Sequence, residues 1–177
     1  MITLFQTLGD HKIMDVTKKL IKPPDWDYIE EVRIECDSFL KTHNFSENES
    51  HSIVMIISEL MENSIKYGDF SNTDTMVEIS INIHKNQVLI EVLNPVTDSD
   101  KHHLQKLDRT IQWIRGYQDP FEAFIERLRH VSKKPLHDIE SGLGLVRIAY
   151  EGKAVLDFFV DDKNLLNVSA IVDISNS

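Results

Sequence analysis

Cysteine, basic charge and long apolar runs are all scarce in this chain, and each shortage removes a class of function. A single cysteine, Cys36, stands in 177 residues. It excludes an internal disulfide and a cysteine-rich metal site, and it implies a reducing compartment. Lysine and arginine number 19 against 29 acidic residues, a formal net charge of -10. That balance repels a phosphate backbone at long range and argues against nucleic acid as a partner. A small anionic ligand stays open, because backbone amides, one or two local cations and a metal ion hold phosphates whatever the overall sign. No run approaches the ~20 apolar residues of a membrane span, and Met1 to Gln6 lack the basic start and apolar stretch of a signal segment. A soluble cytoplasmic protein without membrane insertion is expected. The histidines, among them His102, His103, His130 and His137, show no zinc-ligand spacing and read as solvated surface.

What is present suits a packed core. Hydrophobic residues make up 41% and charged residues 27%, and the length fits one domain spanning 1–177. Ile2 to Leu20 reads as one or two strands before Pro23-Pro24, an N-terminal strand region over 1–24. Tyr28, Ile29, Val32, Ile34, Cys36, Phe39 and Leu40 recur at roughly helical spacing up to about Thr42, with Asp25 or Asp27 as cap. Ser46 and Glu49 form a capping-box pair ahead of a stripe of Ile53, Ile56, Ile57, Leu60, Met61, Ser64 and Ile65 that ends at Gly68. Met76 to Ile83 and Val88 to Leu93 alternate as a hairpin around Lys85-Asn86. Two helices follow across 98–131, joined at Gly116, with Asp119-Pro120 opening the second. A short helix over Leu143 to Tyr150 then leads into a second hairpin around Asp161 to Asn164. Helices, hairpin, helices, hairpin is the order of an α+β protein with an antiparallel sheet and its helices on one face.

Two constellations carry chemistry. Glu59 and Asn63 lie four apart and share a helix face, with Lys66 three further on. A carboxylate there can take a proton, the Asn63 amide oxygen can ligate Mg²⁺, and Lys66 can neutralise phosphate oxygens. By spacing alone, the commoner case is the solvated face of an amphipathic helix. Ser141-Gly142-Leu143-Gly144-Leu145 is a glycine-paired turn before a helix, where unhindered amides can approach a phosphate, or a plain helix cap.

Glu59-Leu60-Met61-Glu62-Asn63-Ser64-Ile65-Lys66-Tyr67-Gly68 resembles the N-box of the GHKL (histidine-kinase-like) ATPases, and Ser141 to Leu145 with Ile148-Ala149 resembles their second glycine box. The resemblance covers most of the chain from about Trp26 onward. It implies a two-layer α/β sandwich with a mixed, mostly antiparallel sheet. In its compact length the chain is closest to the stand-alone anti-sigma-factor serine kinases of bacterial partner switching. The implied function is an ATP- and Mg²⁺-dependent protein serine/threonine kinase that phosphorylates a small regulatory partner, anti-anti-sigma-like or another phospho-acceptor. Homodimerisation is common among such kinases. The resemblance assigns Glu59 as general base, Asn63 as Mg²⁺ ligand, Lys66 near phosphate, and Gly142, Leu143 and Gly144 to the loop over the phosphates.

One segment departs from the family. Asn94-Pro95-Val96-Thr97-Asp98 stands where Asp-x-Gly-x-Gly is usual, which leaves Asn94 as an uncharged acceptor for adenine and removes a backbone donor at Pro95. The two helices over 98–131 occupy the lid position. The departure motivates the alternative, a non-enzymatic module that has lost nucleotide and sequesters a partner. An ATPase with water as acceptor would use the same residues.

Overall fold

Apolar periodicity decides where each element forms and which side it buries. In the computed structural model, residues 15–71, 74–97, 100–133 and 142–174 are described. In chain order the elements are β1 (Val16–Lys22), α1 (Tyr28–Thr42), α2 (Glu47–Tyr67), β2 (Val77–His84) and β3 (Gln87–Pro95), then α3 (Lys101–Arg115), α4 (Pro120–Val131), α5 (Leu143–Tyr150), β4 (Ala154–Val160) and β5 (Leu165–Asp173). The expected strand content before Leu20 is met by β1 from Val16 on, and 1–14 lie outside the described residues.

The capping box forms as expected. The Ser46 hydroxyl accepts from the Glu49 N–H, and the Glu49 carboxylate accepts from the Ser46 N–H at 2.9 Å. These bonds satisfy two of the donors that a helix start leaves orphaned. Behind the box, Ile53, Ile56, Ile57, Leu60, Met61 and Ser64 are buried, and Gly68 ends the helix. Asp119 caps α4, its carboxylate accepting from the Phe121 N–H at 2.9 Å with Pro120 in the first turn. Asp27 precedes α1 without a side-chain cap bond, its backbone already helical (φ -63, ψ -25) where a capping residue is usually extended.

The five strands make one sheet in the order β1-β2-β3-β5-β4, with all four pairings antiparallel. Alternation sends Val77, Ile79, Ile81 and Ile83 of β2 and Val88, Ile90, Val92 and Asn94 of β3 to one buried face. Leu166, Val168, Ala170 and Val172 of β5 join them there. Helix α2 lies on this face over β2, β3 and β5, with α1 toward β1 and α5 toward β4. Helices α3 and α4 continue the layer beside α5. The opposite face is polar at its centre, where Ser80, Asn82 and Asn167 side chains all donate to the Glu91 carboxylate. The molecule is thus a two-layer α/β sandwich with its core between one sheet face and the helices.

Truncation at the centre of this core has a defined cost. Ile57 is fully buried, so Ile57→Ala should lose about 2–5 kcal/mol of stability in urea unfolding, with the slope unchanged. Burial pushes the Cys36 thiol up to about 12. Native protein at pH 8 should therefore resist a thiol reagent until denaturant opens the core, and rapid native labelling would contradict that placement.

Candidate functional site

Because α2 buries one stripe against the sheet, residues four apart on the neighbouring stripe line up along a cleft. Its walls include Asn63, Ser64 and Tyr67 of α2, Val92 and Asn94 of β3, and Leu166 and Val168 of β5. His103, Leu104 and Leu107 of α3, Arg127 of α4, and Gly142 and Gly144 at the start of α5 complete it. From Glu59 to Gly68 the helix rises about 13 Å at ~1.5 Å per residue.

At the Gly68 end, Asn94 is 2% exposed, and its amide nitrogen donates to the Pro95 carbonyl at 3.1 Å. A Cβ on Gly68 would come within 2.9 Å of that nitrogen and 2.8 Å of the Ser64 carbonyl, so the glycine lets Asn94 approach α2 closely. His103 packs on Tyr67 there, ring centroids 5.1 Å apart, which lays α3 against the cleft.

At the other end the glycines make room for charge. Gly142 caps α5 with φ +59, a left-handed conformation that favours glycine. A Cβ on Gly144 would collide with Glu59 Oε2 and would lie 3.8 Å from Asn63 Nδ2. Glu59 and Asn63 therefore meet the first turn of α5 directly. Among the described residues, Asn63 Nδ2 is buried without a hydrogen-bond partner.

Glu59 is held in an ion pair. Arg147 Nη1 lies 2.5 Å from Glu59 Oε1, with the carboxylate side chain 16% exposed. The same guanidinium reaches Glu151 Oε2 through Nη2 at 3.2 Å. Burial pushes the Glu59 carboxyl above the ordinary glutamate range, Arg147 and Lys66 pull it down, and Glu62 and Glu151 push it up. Removing the charge partner should leave desolvation less opposed.

The structure gathers Glu59, Asn63, Asn94, Gly142 and Gly144 around one cleft. Lys66 does not join them. Seven residues beyond Glu59 it starts from the same side of α2, but its long side chain carries the ammonium to 5.4 Å from the Trp26 ring centre and 3.8 Å from Glu62 Oε2. Leu143 opens α5 and packs half-buried against the core, not along the cleft wall. Ser141 lies outside the described residues. Sequence reasoning missed Arg127 and Arg147. Only Arg147 left a local trace, its four-residue spacing to Glu151.

No protein-family model matches the chain, and no curated protein does. In fold it is similar to a chain of the SiaB–SiaC complex from Pseudomonas aeruginosa, with a TM-score of 0.65, 19% identity and 88% of each chain covered. At that identity the likeness speaks for the fold alone. Among the described residues, no helix is long and apolar enough to cross a membrane, and no group of three or more His, Cys, Asp or Glu side chains is placed to hold a metal ion.

The ion pair yields a titration with a definite sign. Arg147→Met should raise the Glu59 pKa further, read by carbon-13 NMR of its carboxyl; an unchanged or lowered value would refute the pairing. Linkage follows the same direction. A folded pKa above the ordinary 4.5 gives stability that is complete below 4.5 and is lost as pH rises through the folded value. Glu59→Gln lacks that loss, so its melting temperature should gain on wild type as pH is raised across this window.

Proposed function

We propose that this chain is a regulatory, ATP- and Mg²⁺-dependent protein serine/threonine kinase of the GHKL type, acting on a small partner protein in partner switching. The observation that carries the reading is the buried, unpartnered Asn63 amide beside Gly144, with Glu59 one turn back on the same stripe. Amide oxygen and nitrogen exchange by a simple flip, and oxygen is the ligand that Mg²⁺ takes, so Asn63 fits the metal. Gly144, bare of a side chain, gives phosphate oxygens access to the α5 amides.

Mg-ATP, when bound, would supply the transferable phosphoryl group and a positive charge at its oxygens. The rest falls to the chain itself. Asn94, with its nitrogen committed to Pro95, keeps an amide oxygen to accept from the adenine amino group. Tyr67, His103 and Leu104 line the cleft nearby and would offer ring and apolar surface to a base. Glu59, its proton affinity raised by burial and held by Arg147, takes the proton of the acceptor hydroxyl. The fold it shares with a chain of a two-protein complex supports a protein as the acceptor.

The cleft encloses about 90 Å³, against about 300–1,000 Å³ for ligand pockets in general. Nucleotide entry thus requires the cleft to widen. The same closure, with asparagine in the adenine-recognition position, favours a second reading: a module that binds a partner protein without nucleotide.

Calorimetry separates the two. Mg-ATP should bind saturably to wild type and not to Asn63→Ala; equal binding by that variant would sink the metal-ligand role. Absence of heat with both ATP and ADP, alongside a stable complex with a partner protein, would favour the module. If transfer to a partner is observed, Glu59→Gln should slow it by roughly 10²–10⁴-fold.

A further inference from the structure

Helix α4 carries two apolar stripes, and the fold buries one. Ala123 is fully buried and Phe124 packs half-buried against the core, so these positions turn inward together with Arg127, which lines the cleft. Phe121, Ile125 and Leu128 follow one another at steps of four and three and share a different side. Phe121 touches the Tyr150 ring, centroids 5.1 Å apart, yet it and Leu128 are each 43% exposed. A helix laid on a protein layer ordinarily gives water a polar face, so this second stripe asks for a cover. Beside it Tyr117, Phe121, Glu122, Ile125, Glu126 and Arg129 line an open groove of about 340 Å³.

Charge says what that cover is. Glu122 stands in the first turn of α4 and Arg129 in the last, seven residues apart and therefore on one side of the helix, next to the exposed stripe. Among the described residues neither meets an opposite charge within ion-pair distance, whereas Arg33, Arg115 and Arg147 each reach a carboxylate. Acid first and base last suits the dipole of α4 itself, which accounts for the charges but not for the bare Phe121 and Leu128. The same polarity makes the helix complementary to its own reverse. A second α4 turned end for end about a twofold axis sets Glu122 against Arg129 at both ends of the contact, and the apolar stripes meet between them. A flank of mixed sign gives no such match to a uniformly acidic or basic partner.

We propose that the outer side of α4 is a self-association surface, on which two copies of this chain pair antiparallel along Phe121, Ile125 and Leu128, with Glu122 of each against Arg129 of the other. The groove beside Ile125 receives the other copy's Leu128, which the antiparallel register brings between Glu122 and Glu126. The pairing requires no nucleotide, because Arg127 and the cleft lie on another side of the helix. Its strength is limited in two ways. Twelve residues of helix span about 18 Å, so the contact belongs to the small, transient class. Copies that each carry a net charge of -10 also repel at distance until salt screens them.

The test is sedimentation velocity of the full chain without nucleotide, at physiological salt and from about 5 to about 500 μM, the range of a weak dimer. Wild type should exchange reversibly between monomer and dimer. Glu122→Arg and Arg129→Glu each set like charges opposite one another at both ends of the contact and should weaken association about tenfold or more. An equimolar mixture of these two variants should regain it, since every facing pair is again opposite in sign, and so should the double variant. Leu128→Ser should weaken association with no change of charge, and it carries the test alone if circular dichroism shows that an exchange has unfolded the chain. Wild type that stays monomeric throughout, a dimer indifferent to the single variants or to Leu128→Ser, or a mixture that associates no better than its components would each overturn the proposal. The nucleotide reading would stand in all of these cases.

Discussion

Seating α2 on the sheet is the constraint from which the rest of the architecture follows. Ile53, Ile56, Ile57, Leu60 and Met61 must leave water, and the apolar faces of β2, β3 and β5 are the surface that receives them. Once that stripe is buried, a helix of 3.6 residues per turn has no freedom about where its other side chains point. Glu59 and Asn63 fall on the stripe facing α5, Ser64 and Tyr67 line the cleft, and Lys66 is turned out toward Trp26. Core packing thus decides which polar groups can act together.

An acidic protein here gathers hydrogen-bond donors at one helix start. Net charge sets long-range behaviour, but a bound phosphate feels the nearest donors in a partly desolvated cleft. Here those donors are concentrated at the start of α5, with Arg127 against Gly142 and the Asn63 amide against Gly144. The Glu59 carboxylate at that same turn is paired with Arg147.

Much of the scaffold was legible beforehand because its signals are local. The Ser46–Glu49 box, the α2 stripe, the Asp119-Pro120 start and both hairpins are written within a few residues of where they act. Part of the site was legible for the same reason, since Glu59 and Asn63 are one turn apart and Gly142 and Gly144 frame one helix start. Lys66 starts on the same side of α2 as Glu59, and only its contacts with Glu62 and Trp26 decide where the flexible side chain ends. Arg127 carries no local mark that separates it from Arg129 two residues on, and only the packing of α4 on α5 brings the first to the cleft.

By itself the sequence determined the order and kind of its elements, the helix face bearing Glu59 and Asn63, and the asparagine in place of an aspartate at position 94. Those depend on periodicity and on residue identity. The tertiary structure alone decided that Glu59 meets Arg147 across 88 positions, that Asn94 is buried against Gly68, and that Arg127 closes on Gly142. It also decided that the cleft is narrow. Such pairings arise from helices packing on a shared sheet, and contact between distant segments leaves no periodicity in the chain for a reader to find.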